Sequence, residues 1–213
     1  MPPKFKTEAE KQLAHSQILN AARDLFVSKG VAAVTMREIA KKIGYSPTAI
    51  YLHFKDKESL IKTLCITDFK TLGTELASIM QITAPVERMV ALGAAYARFA
   101  LNYPNHYRLL FMADRPEYEI NEQEIDPSID AYQLLNTVVN EVYEKGYFLS
   151  SITAPSLVAQ TIWAGIHGVC SLQISMGREE HIQWATIEAR LSLMNETLIR
   201  GLLKNKPEQG LHT

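Results

Sequence analysis

Cysteine is scarce in this chain: Cys65 and Cys170 are the two present among 213 residues. They are too few and too widely spaced for a disulfide framework, and no Cys-x-x-Cys pair offers a metal knuckle. That pattern fits a reduced, cytoplasmic protein. Neither cysteine has cationic neighbours in sequence to lower its pKa, which argues against a redox-sensing thiol. The opening stretch MPPKFKTEAEK lacks an apolar core and a small-residue cleavage site, so no signal peptide and no secretion are expected. A nucleophile elbow, a phosphate loop, a His-Glu-x-x-His pair and a glycine-rich dinucleotide fingerprint are all missing, and with them any case for an enzyme or a cofactor. His106, His167 and His181 have no partners at ligand spacing, so no metal is expected. Long apolar runs are lacking too. Residues 146–177 contain no Asp, Glu, Lys or Arg, but Pro155, Gln160, His167, Gln173 and several Ser and Thr interrupt them. A buried interface helix is expected there rather than a membrane span.

Hydrophobic residues make up 47% of the chain, enough for a substantial core in one large domain or in a small domain followed by a larger one. The net charge of −1 conceals an asymmetry. Residues 1–63 carry eleven Lys and Arg against six Asp and Glu, a net of +5; the remainder carries eleven against seventeen, a net of −6. Positive charge therefore gathers in the first third, as a nucleic-acid contact requires.

That third contains the most informative stretch, Thr35 to Lys57. Thr35 followed by Glu38 is a capping box at a helix start. Ile39, Ala40 and Ile43 follow at near-helical spacing, and Gly44 supplies a left-handed residue that ends the helix and turns the chain. Ser46 caps a second short helix whose first residue is Pro47 and which runs to about His53. Ile50 and Phe54 face inward, while Thr48, Ala49, Tyr51, Leu52 and His53 cover the other faces with small, hydroxyl-bearing or aromatic groups suited to base edges and phosphates. Lys55 and Lys57 close the unit with two cations, and Asp56 caps the next helix. The pattern is a helix-turn-helix; on spacing alone a structural αα-corner stays open beside a DNA-reading role.

The order Arg37, Ile39-Ala40, Gly44, Ser46-Pro47-Thr48-Ala49-Ile50-Tyr51-Leu52-His53-Phe54, Lys55-Asp56-Lys57 resembles the DNA-binding domain of the TetR (tetracycline-repressor) family over roughly fifty residues. The resemblance implies that Thr35 and Arg37 open the second helix against the DNA backbone. Thr48, Ala49, Tyr51 and His53 would face the major groove or its phosphates, and Lys57 would hold a phosphate at the start of the fourth helix. Ser46, Pro47 and Lys55 complete the implied contact set. Tyr45 is bulkier than the valine-like residue common after the turn glycine. The segment Tyr96 to Met112 resembles the start of the C-terminal domain of one TetR subgroup, named for a later Trp-x-x-x-His-Gly element that Trp163, His167 and Gly168 match. The fold so implied is all-α: a helix-turn-helix domain, residues 1–57, joined by a long helix to a larger effector-binding and dimerisation domain, residues 58–213.

The remaining periodicity agrees. Thr7 and Glu10 form a second capping box before a helix to about Lys29, with Ile18, Ala22, Leu25 and Phe26 on one face. Lys4, Lys6 and Lys11 make a basic tail, either solvated or in reach of phosphates. A long helix starts at Asp56, with Leu60, Leu64, Ile66, Phe69, Leu72, Leu76 and Ile79 as its apolar positions. Helices follow over 84–102, with Met89, Leu92, Ala95, Tyr96 and Phe99 inward, over 106–112, and over 129–145, stopped by Gly146. The last two span about 155–176 and 179–204. Leu157, Ile162, Ile166, Val169 and Leu172 line the first; Ile182, Ile187, Leu191, Met194, Leu198 and Leu202 line the second. This is more apolar surface than a peripheral pair needs, and the resemblance implies a homodimeric four-helix bundle.

Two readings stay open for the effector site. Tyr96, Phe99, Tyr103, Tyr107, Phe111, Met112, Trp163 and His167 either line a pocket or fill a core. Trp163 and His167 lie four apart and can meet, and Gly168 permits close helix approach. Asp114 to Asp130 carries seven acidic residues against Arg115 alone, a solvated loop or an acidic rim for cationic ligands. The expected partners are a near-palindromic double-stranded operator, a second copy of the chain and a small-molecule effector, with no membrane. A DNA-binding protein without an effector and a helical enzyme are the competing classes.

Overall fold

The computed structural model describes residues 7–113 and 130–204. Among them the regular elements are α1 (Glu8–Lys29), α2 (Met36–Lys42), α3 (Pro47–Tyr51), α4 (Lys57–Ala77), a 3-10 turn (Ser78–Gln81), α5 (Pro85–Asn102), α6 (Pro104–Phe111), α7 (Ala131–Glu144), α8 (Pro155–Met176) and α9 (Ile187–Leu202). A single isolated antiparallel bridge joins Phe148 and Leu203. The all-α expectation holds.

The helices start where short-range chemistry starts them. Thr7 accepts the Glu10 amide while Glu10 accepts the Thr7 amide, both at 3.2 Å. Asp56 Oδ1 accepts the Ser59 amide at 2.7 Å and opens α4. Pro104 is the first residue of α6, so it begins that helix as well as ending α5. Asp130 accepts the amides of Tyr132 and Gln133 at the head of α7. The rest of the acidic segment, residues 114–129, lies outside the described residues.

The boundaries of α3 and α9 also differ from expectation. α3 stops at Tyr51, and the His53 amide turns back to the Ile50 carbonyl at 2.9 Å. α9 begins at Ile187, eight residues after Glu179, because Thr186 caps it and the Trp184 indole donates to the Met176 carbonyl at 3.1 Å. Ile182 therefore precedes the helix.

The chain forms two compact units. α1, α2, α3, α4 as far as Thr71, and α6 make the first; α4 from Leu72, α5, α7, α8 and α9 make the second. The first buries Ile18, Phe26, Ile39, Ile50, Leu60, Ile61, Leu64 and Tyr107, the second Met89, Leu92, Phe99, Val138, Val142, Ile162 and Ile166. Each such side chain stabilises its unit by roughly 1.5 to 3 kcal/mol.

α8 packs on α5, α7 and α9 with Val158, Ala159, Ile162, Ile166 and Cys170 buried, whereas Leu157 and Leu172 are 63% and 45% exposed. No residue of α9 is buried. α8 is also, among the described residues, the helix long and apolar enough to cross a membrane by length and composition. An added Cβ at Gly168 would meet nothing within 4 Å, so this glycine permits no close helix approach inside the chain. Gly165 does so instead: its Cβ would lie 2.9 Å from both Leu198 Cδ1 and Met194 Sδ.

Candidate functional site

The helix-turn-helix is built from interlocking caps. Thr35 Oγ1 accepts the Glu38 amide at 3.2 Å, and Glu38 accepts the Thr35 amide at 2.9 Å and the Lys29 ammonium at 3.1 Å. The backbone hydrogen bond from Thr35, followed by that from Lys29, holds the Glu38 carboxyl below its ordinary range. Gly44 adopts φ +72°, and the Tyr45 amide then returns to the Ala40 carbonyl at 2.9 Å. The extra bulk of Tyr45 is accommodated outside the turn, where its hydroxyl donates to Gln17 Oε1 at 3.1 Å. Ser46 Oγ accepts the Ala49 amide at 3.2 Å and fixes the first turn of α3.

Ile50 and Phe54 anchor this reader to the core. Thr35, Arg37, Ser46, Pro47, Thr48, Tyr51 and Lys55 are exposed, and His53 and Lys57 are half-buried. Ala49 is a correction: at 0% exposure it does not face outward. α3 packs on α2, and Ala49 and Ile50 are its buried residues. Leu52, 63% exposed, takes a place on the outer surface that the implied contact set omits. Lys57 Nζ lies 3.4 Å from the Ala32 carbonyl and 6.0 Å from the centre of the Phe26 ring. An ammonium has three donors, so this contact does not exhaust it.

The first unit also holds a polar cluster that pattern reading missed. Asp68 of α4 is fully buried, pairs with Arg23 of α1, and stands 3.0 Å from His106 Nδ1 of α6. The available signal is an aspartate at the spacing of Leu64 and Leu72, on the buried face of α4.

The eight aromatic and sulfur-bearing residues expected to surround an effector divide between the units. Tyr103, Tyr107, Phe111 and Met112 belong to the first, where Tyr107 is fully buried 5.1 Å from Phe111 and Phe111 meets Phe69 edge-on at 6.1 Å. Tyr96, Phe99, Trp163 and His167 belong to the second. There Trp163 and His167 meet through a third residue. The Trp163 indole donates to the Tyr96 hydroxyl at 3.1 Å, and that hydroxyl lies 3.4 Å from His167 Nδ1. Indole N–H is donor only, so the Tyr96 oxygen accepts from it. The sense of the Tyr96–His167 contact follows the His167 tautomer. Burial keeps the His167 pKa below its ordinary value, which favours the neutral ring. Tyr132 of α7 adds its ring 5.8 Å from Trp163 and accepts from Gln160 at 3.3 Å. The group contains no formal charge.

Both cysteines are free and buried. Burial pushes the Cys170 thiol up to about 11, so it stays protonated at neutral pH.

The chain is similar to known proteins in sequence and in fold. Residues 18–64 match the family of bacterial regulatory proteins called the tetR family, and residues 89–192 match a tetracyclin repressor-like C-terminal domain. The HTH-type transcriptional regulator UidR of Escherichia coli K12 is 38% identical over 61 residues, 29% of this chain and 31% of UidR. The match thus spans about a third of that relative's length. Among solved structures, the regulator FadR of Bacillus subtilis in complex with stearoyl-CoA superposes with a TM-score of 0.70 at 18% identity, covering 88% of this chain and 98% of that one. The ketosteroid transcriptional regulator KstR2 of Mycobacterium tuberculosis gives 0.69 at 19% identity, over 96% and 99%. At such identities the likeness is one of fold.

Proposed function

Because this chain belongs to the tetR family of bacterial regulatory proteins, we propose that it is a cytoplasmic, ligand-responsive transcriptional repressor that binds a near-palindromic operator as a homodimer. The observation that carries this reading is α3: capped by Ser46, anchored by Ile50 and Phe54, and presenting Thr48 and Tyr51 outward. Such a helix reads base edges in a major groove, with half-sites one helical turn, ~34 Å, or a multiple of it apart. Arg37, Lys55 and Lys57 supply phosphate contacts, which set register and make affinity salt-dependent.

The dimer is assigned to α8 and α9. Within one chain no residue of α9 is fully buried, and Leu157, Leu172 and Leu193 are exposed, which is apolar surface a second copy would cover. DNA reading is assigned to residues 1–57 and effector binding with dimerisation to residues 58–213. The Trp163, His167, Gly168 element supports membership of the corresponding subgroup of the family. Within the second unit the Tyr96, Trp163, His167 and Tyr132 group is the effector site we favour, because its side chains combine apolar faces with oriented donors. The ligand-bound FadR neighbour supports a small-molecule effector in this architecture. α4 runs unbroken from the first unit into the second and is the covalent route for the signal. A coupling of about 1 to 3 kcal/mol, 5- to 150-fold in affinity, suffices for the switch.

Selection of binding sites from a random duplex pool tests the reading. A recovered near-palindrome, bound more weakly by Tyr51→Ala than by the native protein while both sediment as dimers, is the expected result. Equal affinity of the Tyr51→Ala protein, or failure to enrich any sequence, overturns it.

A further inference from the structure

We propose that the cleft between the first turns of α1 and the C-terminal end of α3 is a proton-linked seat for a phosphate group, with His15 and His53 as its paired donors. The cleft has a volume of about 630 Å³ and is lined by the polar side chains of Glu8, Lys11, Gln12, His15, Ser16 and His53 and by Leu52. Five of these side chains carry donors suited to an anion: two imidazoles, an ammonium, an amide and a hydroxyl. The remaining polar one, Glu8, is 3.8 Å from Lys11 and largely exposed, so its charge is partly neutralised and well hydrated. Glu8 and Lys11, both from α1, are the other ionisable groups that line the cleft.

The two rings are held by packing. His15 lies against the buried Phe54 at 4.7 Å between ring centres, tilted by 31°, and 6.2 Å from the His53 ring. Burial keeps both imidazoles below their ordinary pKa, and for His53 the neighbouring His15 and Lys11 add to the effect. Two neutral rings leave an anion with little charge to meet. Two protonated rings at this separation repel each other until an anion sits between them, so anion binding and proton uptake favour one another. Leu52 and His53 bring the cleft to the end of the reader. A DNA phosphodiester is one source of the group and inorganic phosphate the other; the first source rests on the DNA-binding reading above.

The test has two arms. Operator affinity is measured by fluorescence anisotropy from pH 8 to pH 5.5 at constant ionic strength, for the native protein and for His15→Gln. The native affinity should rise roughly fivefold between pH 7.5 and pH 6, and the rise should shrink below about twofold in His15→Gln. In the second arm the imidazole resonances of the DNA-free protein are titrated with pH, with and without inorganic phosphate. Phosphate should raise the pKa of both His15 and His53 if the seat takes the free ion. A response to operator alone assigns the seat to phosphodiester; a response to phosphate without any operator binding keeps the seat and removes the DNA reading. A pH slope that survives in His15→Gln together with unmoved imidazoles overturns the proposal, and circular dichroism of His15→Gln confirms that a lost slope is not lost folding.

Discussion

The Arg23 guanidinium grips the Asp68 carboxylate at two points, Nε to Oδ2 at 3.0 Å and Nη2 to Oδ1 at 2.5 Å, across 45 residues of sequence. Asn20 accepts the third contact of Arg23 at 2.8 Å, and His106 approaches Asp68 Oδ1 at 3.0 Å. Three helices of the first unit, α1, α4 and α6, thereby converge on one buried carboxylate. Removing two charges from water is costly, and the fork geometry with its additional hydrogen bonds is what offsets that cost.

Asp68→Ala should therefore destabilise the protein by about 3 to 5 kcal/mol, because it leaves the Arg23 charge buried without its counter-ion. Replacing both partners, as Arg23→Met with Asp68→Leu, should recover most of the loss. Urea unfolding followed by circular dichroism measures both. A double variant as unstable as the single one would show that the pair itself, rather than the orphaned charge, carries the energy.

Gly44→Ala isolates the backbone cost of the turn. At φ +72° an added Cβ would meet nothing within 4 Å, so no side-chain clash contributes. The expected destabilisation is about 1 to 2 kcal/mol, from the left-handed conformation alone. Asn, which tolerates that region better, should cost less. Thermal unfolding ranks the three proteins.

What was legible in the sequence was local. The Thr7–Glu10 and Thr35–Glu38 boxes, the Gly44 turn and the Ser46-Pro47 start are each written within four residues, and each forms hydrogen bonds or the φ angle that its residues imply. The inward faces of α5 followed from periodicity, and Met89, Leu92, Ala95, Tyr96 and Phe99 are all buried. Tertiary partners left no such mark. Nothing near Asp68 in sequence announces Arg23, and nothing near Trp163 announces that Tyr96, 67 residues earlier, links it to His167. The outward assignment of Ala49 failed for the same reason: which face of a five-residue helix is inside depends on α2. Periodicity likewise carried α9 back to Glu179, because Ile182 continues the apolar spacing while Trp184 and Thr186 set the true start.

Stability should fall as the pH drops below 6.5. His15, His53 and His167 each have a folded-state pKa lowered from the ordinary 6.5 by burial. The unfolded chain then binds more protons between the folded value and 6.5, so the stability contributed by these neutral imidazoles is present above 6.5 and is lost as the pH falls through that window. Urea midpoints at pH 7.5 and pH 5.5 show the loss. His167→Gln should flatten part of the slope, and an unchanged slope would remove His167 from the set.

Tyr96→Phe deletes the hydroxyl that accepts from Trp163 and lies 3.4 Å from His167 Nδ1. A loss of roughly 0.5 to 1.5 kcal/mol, that of one hydrogen bond, is expected. The emission maximum of Trp163 should shift as well, which a change elsewhere in the core would not produce. Comparing the Tyr96→Phe spectrum in a Trp184→Phe background, where Trp163 is the remaining tryptophan, decides the point.

Gly165 and Gly168 are three residues apart on α8 and should respond oppositely to a side chain. Gly165 faces α9 inside the chain, and a methyl group there would press on Leu198 and Met194, each 2.9 Å away. Overpacking of this kind costs about 1 to 3 kcal/mol, so Gly165→Ala should lower the unfolding midpoint. Gly168 has open space around its Cβ position within the chain and follows the exposed Leu157, Thr161 and Ala164 along one helical stripe. Alanine there should be neutral or slightly stabilising to the single chain, by up to about 1 kcal/mol, because alanine is the better helix former. A long charged side chain is different if that stripe is the dimer surface. Gly168→Arg should leave the helical content unchanged and shift sedimentation from dimer to monomer, since an arginine buried at the centre of an apolar interface has no partner. Operator affinity would fall with it, as two reading heads become one. A Gly168→Arg protein that still sediments as the dimer would place the two-fold contact elsewhere on α8 and α9.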